Sequence, residues 1–118
     1  MSLNDLAYDR VINSFLETGS ATNATATATK AASDDHHHVL RTIVASFSAT
    51  PAAAALCQVK YGTTVVMEVY VSAPVVIYLG EGHMNTTENQ AVSAELGAGG
   101  VAVLGKINIS GFTTGIRL

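Results

Sequence analysis

The most constraining feature of this chain is a run of short segments of alternating polarity, each closed by glycine, proline or asparagine, across its last eighty residues. "HHHVLRTIVASFS" (36–48) alternates Val39, Ile43, Ala45 and Phe47 with more polar neighbours. "AALCQVKY" (54–61) stops at Gly62, and "TTVVMEVYV" (63–71) sets Val65, Met67, Val69 and Val71 on one face. "VVIYLG" (75–80) follows Pro74, and a polar loop, "EGHMNTTEN" (81–89), separates it from "QAVSAEL" (90–96). "GAGG" (97–100) reads as a hairpin turn into "VAVLGKINI" (101–109), where Gly105 marks a bulge or a close backbone approach. A period of two with turn residues between segments is the pattern of antiparallel strands. No helical spacing intervenes, so βαβ units are disfavoured. The expected fold is mainly β: an antiparallel β-sandwich, jelly-roll-like if the upstream segment adds a strand.

Upstream, residues 1–35 read as an N-terminal helix and a Thr/Ala-rich arm, and residues 36–118 as the sandwich domain. Over residues 2–18, Tyr8, Val11, Ile12, Phe15 and Leu16 form one apolar stripe, with Gly19 at the position of a helix stop. An isolated helix of that length is marginal, so the stripe needs a surface to lie against. In "SATNATATATKAASDD" (20–35), Thr25, Thr27 and Thr29 alternate with alanines, as in a linker or an arm that pairs with a partner's edge. The stripe and these three threonines are the expected partner-binding residues.

Composition narrows function. Charged residues make up 13% of the 118, about half the usual share, and hydrophobic ones 48%. A small domain with so few charges suits a surface partly covered by other subunits, hence a homo-oligomer. A net charge of −3, with three lysines and three arginines spread singly, argues against nucleic acid. No apolar run is long enough to span a membrane, and the N-terminus has no signal-peptide pattern, so synthesis in a cytoplasm is expected. The single cysteine, Cys57, reads as a buried thiol.

The chemistry-bearing residues are sparse. His36, His37 and His38 are adjacent in a strand, so His36 and His38 share a face that His37 does not. A metal site would need those two with Asp34 or His83; solvated or interface histidines are the simpler expectation. Glu68 and Glu95 fall mid-strand as solvent-facing carboxylates, and "GAGG" lacks the Lys-Ser/Thr of a phosphate loop. No catalytic, metal or cofactor residue is therefore assigned, and a non-enzymatic role is expected. Tyr61, Tyr70 and Tyr78 would be the stacking residues of a carbohydrate-binding module.

One stretch carries a family resemblance. "ENQAVSAELGAGGVAVLGKINISGFTTG" (88–115) is similar to the C-terminal pattern of small structural proteins of tailed bacteriophages. Asn89, Ala91, Val92, Ser93, Ala94 and Leu96 match the first part of that pattern. Gly105, Lys106, Ile107, Asn108, Ile109, Gly111 and Phe112 match its final strand. Ala45, Ser46, Phe47 and Ser48 resemble the signature closing the same proteins' opening strand. The resemblance spans about residues 35–113 and leaves out the N-terminal segment. It implies a virion protein, made in the host cytoplasm, that decorates or cements a capsid by binding the major capsid protein or another virion protein, with a trimer favoured because it would suit a particle's local threefold positions. The alternative it admits is a host- or carbohydrate-binding module of a tail or fibre. It transfers no catalytic residue.

Overall fold

A computed structural model describes residues 13–84 and 87–115. Within them are eight strands and no helix. The strands are β1 (Ser14–Thr22), β2 (Ala26–Lys30), β3 (His37–Phe47), β4 (Ala55–Tyr61), β5 (Thr64–Val71), β6 (Val75–Met84), β7 (Val92–Leu96) and β8 (Leu104–Thr114). They form two four-stranded antiparallel sheets, sheet I in the order β1-β8-β3-β6 and sheet II in the order β2-β7-β4-β5. Chain neighbours β1 and β2, or β7 and β8, therefore lie in different sheets.

The expected N-terminal helix is not found where the chain is described. Tyr8, Val11 and Ile12 lie outside the described residues, whereas Phe15 and Leu16 belong to β1. In SFLETGSAT, Phe15, Glu17, Gly19 and Ala21 face one way and Ser14, Leu16, Thr18, Ser20 and Thr22 the other. The helical stripe and this alternation share Phe15, and the backbone ladder with β8, from Ser14↔Phe112 to Thr22↔Leu104, decides between them. A short helix has no comparable tertiary support.

The Thr/Ala segment also pairs within its own chain. β2 runs antiparallel to β7, Ala26↔Leu96 to Lys30↔Val92, so residues upstream of 36 supply one strand to each sheet. Alanine is a poor strand former in isolation. Here its smallness is what the site requires, because Ala26 and Ala28 are buried where β1 comes close to β2. A Cβ on Gly19 would collide with the Thr27 carbonyl. Small residues on both strands thus close this side of the sandwich.

The core lies between the sheets: Leu40, Ile43, Ala45, Ile107 and Ile109 from sheet I meet Cys57, Val59, Val92, Ala94 and Leu96 from sheet II. Gly105 is a close approach, since a Cβ there would sit 3.1 Å from the Phe47 ring, and its pairing with β1 and β3 is unbroken. Two boundaries differ from the sequence reading. β6 continues to Met84, so half of the expected polar loop is strand. Residues 97–103 make a crossover from sheet II to sheet I, not a hairpin, because β7 and β8 belong to different sheets.

A candidate assembly surface

The outward rows of the two sheets come from the same alternation but carry different chemistry. On sheet I, pairing lines up Leu16, Ser110, Thr42 and Tyr78 across all four strands, and beneath them Thr18, Asn108, Val44 and Val76. Lys106 opposite Ser20 and Ser46 is the charged member of these rows. Leu16, Val76 and Tyr78 are each about two-thirds exposed, at 67%, 67% and 66%. On sheet II, Thr27, Glu95, Gln58 and Glu68 form one row, and Lys60 donates to Glu95 Oε1 at 3.0 Å.

A bulge interrupts the centre of sheet I. β3 pairs Leu40↔Gly111 and Thr42↔Ser110 on one side, leaving Arg41 without a counterpart in β8. On the other side Leu40↔His83 and Thr42↔Tyr78 leave Leu79–Gly82 of β6 facing Arg41 alone. Glycines make this possible: a Cβ on Gly111 would run into the Val39 carbonyl, and one on Gly82 into the Val39 side chain. Gly80 and Gly82 also hold positive φ angles, 66° and 117°. Because the bulge shifts the phase of β3, Leu40 joins Ile43 and Ala45 in the core cluster in place of Val39. Arg41 Nε donates to the Gly80 carbonyl and Nη2 to the Tyr78 hydroxyl, both at 3.3 Å. A smaller shift at Val66 in β5 turns Val65 away from the face of Met67, Val69 and Val71.

Two of the four histidines, His37 and His38, are buried, which corrects the expectation of solvated ones at those positions, whereas His36 and His83 are exposed. His38 Nε2 lies 2.7 Å from the Ala31 carbonyl and must donate to it, so Nδ1 accepts from the Thr113 hydroxyl at 2.8 Å in the neutral ring. Its ring meets Phe15 edge-on. Burial pushes the His38 pKa down, with Lys30 and His36 adding to the effect and the bond to Ala31 opposing it. His37 is also buried, 3.8 Å from the Glu88 carboxylate. His36 is exposed, with Nδ1 2.6 Å from the Asp34 carbonyl. His83 stacks on Tyr61, whose hydroxyl donates to the His83 carbonyl at 2.6 Å; its Nδ1 lies 3.1 Å from that hydroxyl. His36, His38 and His83 are thus spread over separate contacts. Among the described residues no three His, Cys, Asp or Glu side chains gather into a possible metal site.

The other candidates fall in different places. Phe15 is core, Leu16 is exposed on sheet I, and Thr25, Thr27 and Thr29 are exposed along sheet II. The proposed partner-binding set is therefore divided between two opposite faces. Cys57 is buried and its thiol pKa is raised by burial. Tyr61 is buried, so it offers no sugar platform, and burial pushes its pKa up. Tyr70 and Tyr78 are exposed on different sheets, hence on opposite sides. Sequence reasoning missed Arg41. Its signal was present: "VLRTIV" puts two apolar residues side by side on each flank of Arg-Thr, a break in the period of two.

No protein-family model matches the chain, and no curated protein matches its sequence. Its fold is similar to that of a chain in the acidic stable capsid structure of Helicobacter pylori bacteriophage KHP30, with a TM-score of 0.54. That match has 12% identity and covers 85% of this chain and 87% of that one. A ruminal GH26 endo-beta-1,4-mannanase aligns at a TM-score of 0.40 and 10% identity, over 75% of this chain and 18% of that one. Among the described residues no helix is long and apolar enough to cross a membrane.

Proposed function

We propose that the protein is a non-enzymatic structural component of a bacteriophage virion, a decoration or cement protein that binds the assembled shell. The observation that carries this reading is the near end-to-end fold correspondence with a phage capsid chain, 85% of one and 87% of the other. The residue pattern of β7 and β8 points the same way. We read the strand orders 1-8-3-6 and 2-7-4-5 as those of a jelly roll, eight strands wound as two Greek keys across two sheets.

The contact surface we assign is the outer face of sheet I. Its outward rows carry hydroxyls, an amide and the aliphatic side chains Leu16, Val44 and Val76, with Lys106 the charged member. Such a face costs less to desolvate than a charged one, provided the opposing surface returns hydrogen bonds to its hydroxyls and amide. A protein that binds assembled shell better than free shell subunits favours assembly by mass action. Its partners would be the major capsid protein or a neighbouring virion protein, and its own copies.

The test is direct. Purified particles of the phage that encodes this chain should contain it in stoichiometric amounts, and the recombinant protein should co-sediment with shells lacking it. Its absence from particles and failure to bind shells would overturn the proposal. The second reading, a host- or carbohydrate-binding module, is favoured by one observation: Tyr78 stands exposed beside Arg41.

A further inference from the structure

We propose that the groove around Arg41 on the outer face of sheet I binds an acidic sugar, its guanidinium receiving the carboxylate. This rests on the second, carbohydrate-binding reading and names its ligand class; shell contact through the same face would cover the groove, so the two are tested separately. The groove, about 300 Å³, is lined by Ser14, Arg41, Thr42, Tyr78, Ser110 and Phe112 among others, at the low end of the range of about 300–1,000 Å³ for small-ligand sites.

Arg41 reaches this place through the bulge, which sits in a strand paired on both sides and relies on glycine at 82 and 111. Bulges of this kind re-aim a side chain and recur beside functional sites. The guanidinium is then fixed from one side by the Gly80 carbonyl and the Tyr78 hydroxyl. Those two bonds use two of its five N–H donors, leaving the Nη1 pair and one on Nη2. That remainder suits a carboxylate. Neither ion pair seen among the described residues, His37–Glu88 or Lys60–Glu95, involves Arg41. The outward rows of this sheet hold a second cation, Lys106, in a chain of net charge −3, and one carboxylate, Glu81, stands exposed in the β6 segment that faces Arg41 without forming an ion pair with it.

The surroundings select a sugar over a peptide. Ser14, Thr42, Ser110 and Tyr78 supply hydroxyls that donate and accept, as a polyol requires. The exposed Tyr78 ring offers a face for the C–H side of a pyranose. A peptide strand would need a sheet edge, and this groove lies across the strands.

The experiment is an amide NMR titration of the full chain with glucuronate, N-acetylneuraminate, glucose and acetate. At least one acidic sugar should shift the Arg41, Thr42, Tyr78 and Ser110 amides saturably, at least tenfold more tightly than glucose or acetate. Arg41→Gln should weaken that binding tenfold or more, and Tyr78→Ala severalfold. If Arg41→Gln disturbs the fold, Tyr78→Ala alone decides, since Tyr78 is surface-exposed. No saturable response to either acidic sugar overturns the inference, as does unchanged binding in a folded variant. Acetate binding as tightly as the sugars also overturns it, because a bare carboxylate contact would then be the whole interaction. Shell co-sedimentation is measured separately, so loss of one function leaves the other testable.

Discussion

The outer faces of the two sheets face water through the same pleat, yet they are different surfaces. Sheet II covers its exterior with Thr27 and Thr29 and with Gln58, Lys60, Glu68 and Glu95, opposite charges that interleave with the exposed Val65 and Tyr70. Sheet I presents Leu16, Val44, Val76 and Tyr78 among serines, threonines and asparagine, and breaks its own central ladder to set one arginine there. Mixed charge keeps a surface soluble and separate. The weakly charged face with the internal irregularity is the proposed contact surface, and the difference in charge between the two faces makes that assignment testable.

The largest expected effect comes from removing the irregularity. Gly111→Ala places a methyl group against the Val39 carbonyl, and neither backbone can yield without losing the ladder on both sides of β3. A cost on the order of 3 kcal/mol or more is expected, as for other strained backbone sites, a fall of roughly 10–20 °C in Tm for a domain of this size. At Gly97, beside sheet II, the nearest atom to an added Cβ is 3.4 Å away, so Gly97→Ala should cost about 1 kcal/mol or less. Thermal denaturation of both variants checks the contrast; equal losses would mean that the bulge bears no special strain.

The second effect separates the faces by binding. Val76→Glu puts a carboxylate on sheet I at an edge strand, where the fold tolerates it. Shell binding should weaken at least tenfold, about 1.4 kcal/mol. Thr27→Glu on sheet II should change it less than twofold. Co-sedimentation across a concentration series reads both, and the opposite pattern would transfer the contact surface to sheet II.

How much of this was legible in the sequence follows from where the information is local. The six segments from residue 36 onward all appear as strands, because alternation and turn residues are local properties. β1 and β2 were not legible in the same way. "SFLET" satisfies a helical stripe and a strand alternation equally, and "ATATK" has no side chain large enough to announce a core. Both became strands through partners some 70 to 100 residues away, Phe112 opposite Ser14 and Leu96 opposite Ala26. The crossover after β7 was hidden for the same reason: glycines mark a turn but not which sheet the chain enters next. As for the site, Leu16 and Tyr78 are legible as candidates, whereas Arg41 is marked only by the break in alternation of "VLRTIV", whose meaning as a bulge depends on the pairing of β3 with β6 and β8.

A third, smaller effect concerns acid. The imidazole of His38 is buried on sheet I, and its folded pKa lies below the ordinary value of about 6.5. The unfolded chain therefore binds the proton first as pH falls. The stability contributed by neutral His38 is complete above about pH 6.5 and is lost progressively as pH falls through its folded pKa. Lys30 and His36 are the cations that oppose protonation of the ring, and the Ala31 carbonyl favours it. Tm should therefore decline between pH 7.5 and 5.5, and His38→Gln should flatten that slope at some cost in stability at neutral pH. An unchanged slope in the variant would locate the acid sensitivity elsewhere.

The smallest effect belongs to sheet II. Lys60 and Glu95 meet at 3.0 Å with side chains about a quarter to a third exposed, 26% and 32%. Water and salt screen such a pair, and ordering two flexible side chains offsets most of its attraction, leaving about 0–1 kcal/mol. Lys60→Met should therefore change stability by less than about 1 kcal/mol, with the difference shrinking further at 1 M salt as the Debye length falls to about 3 Å. A larger, salt-resistant loss would mean that the pair organises β4 against β7 instead of decorating them. Sheet II would then hold a built polar site to set beside Arg41, and the asymmetry between the faces would be one of charge sign, with contact chemistry on both.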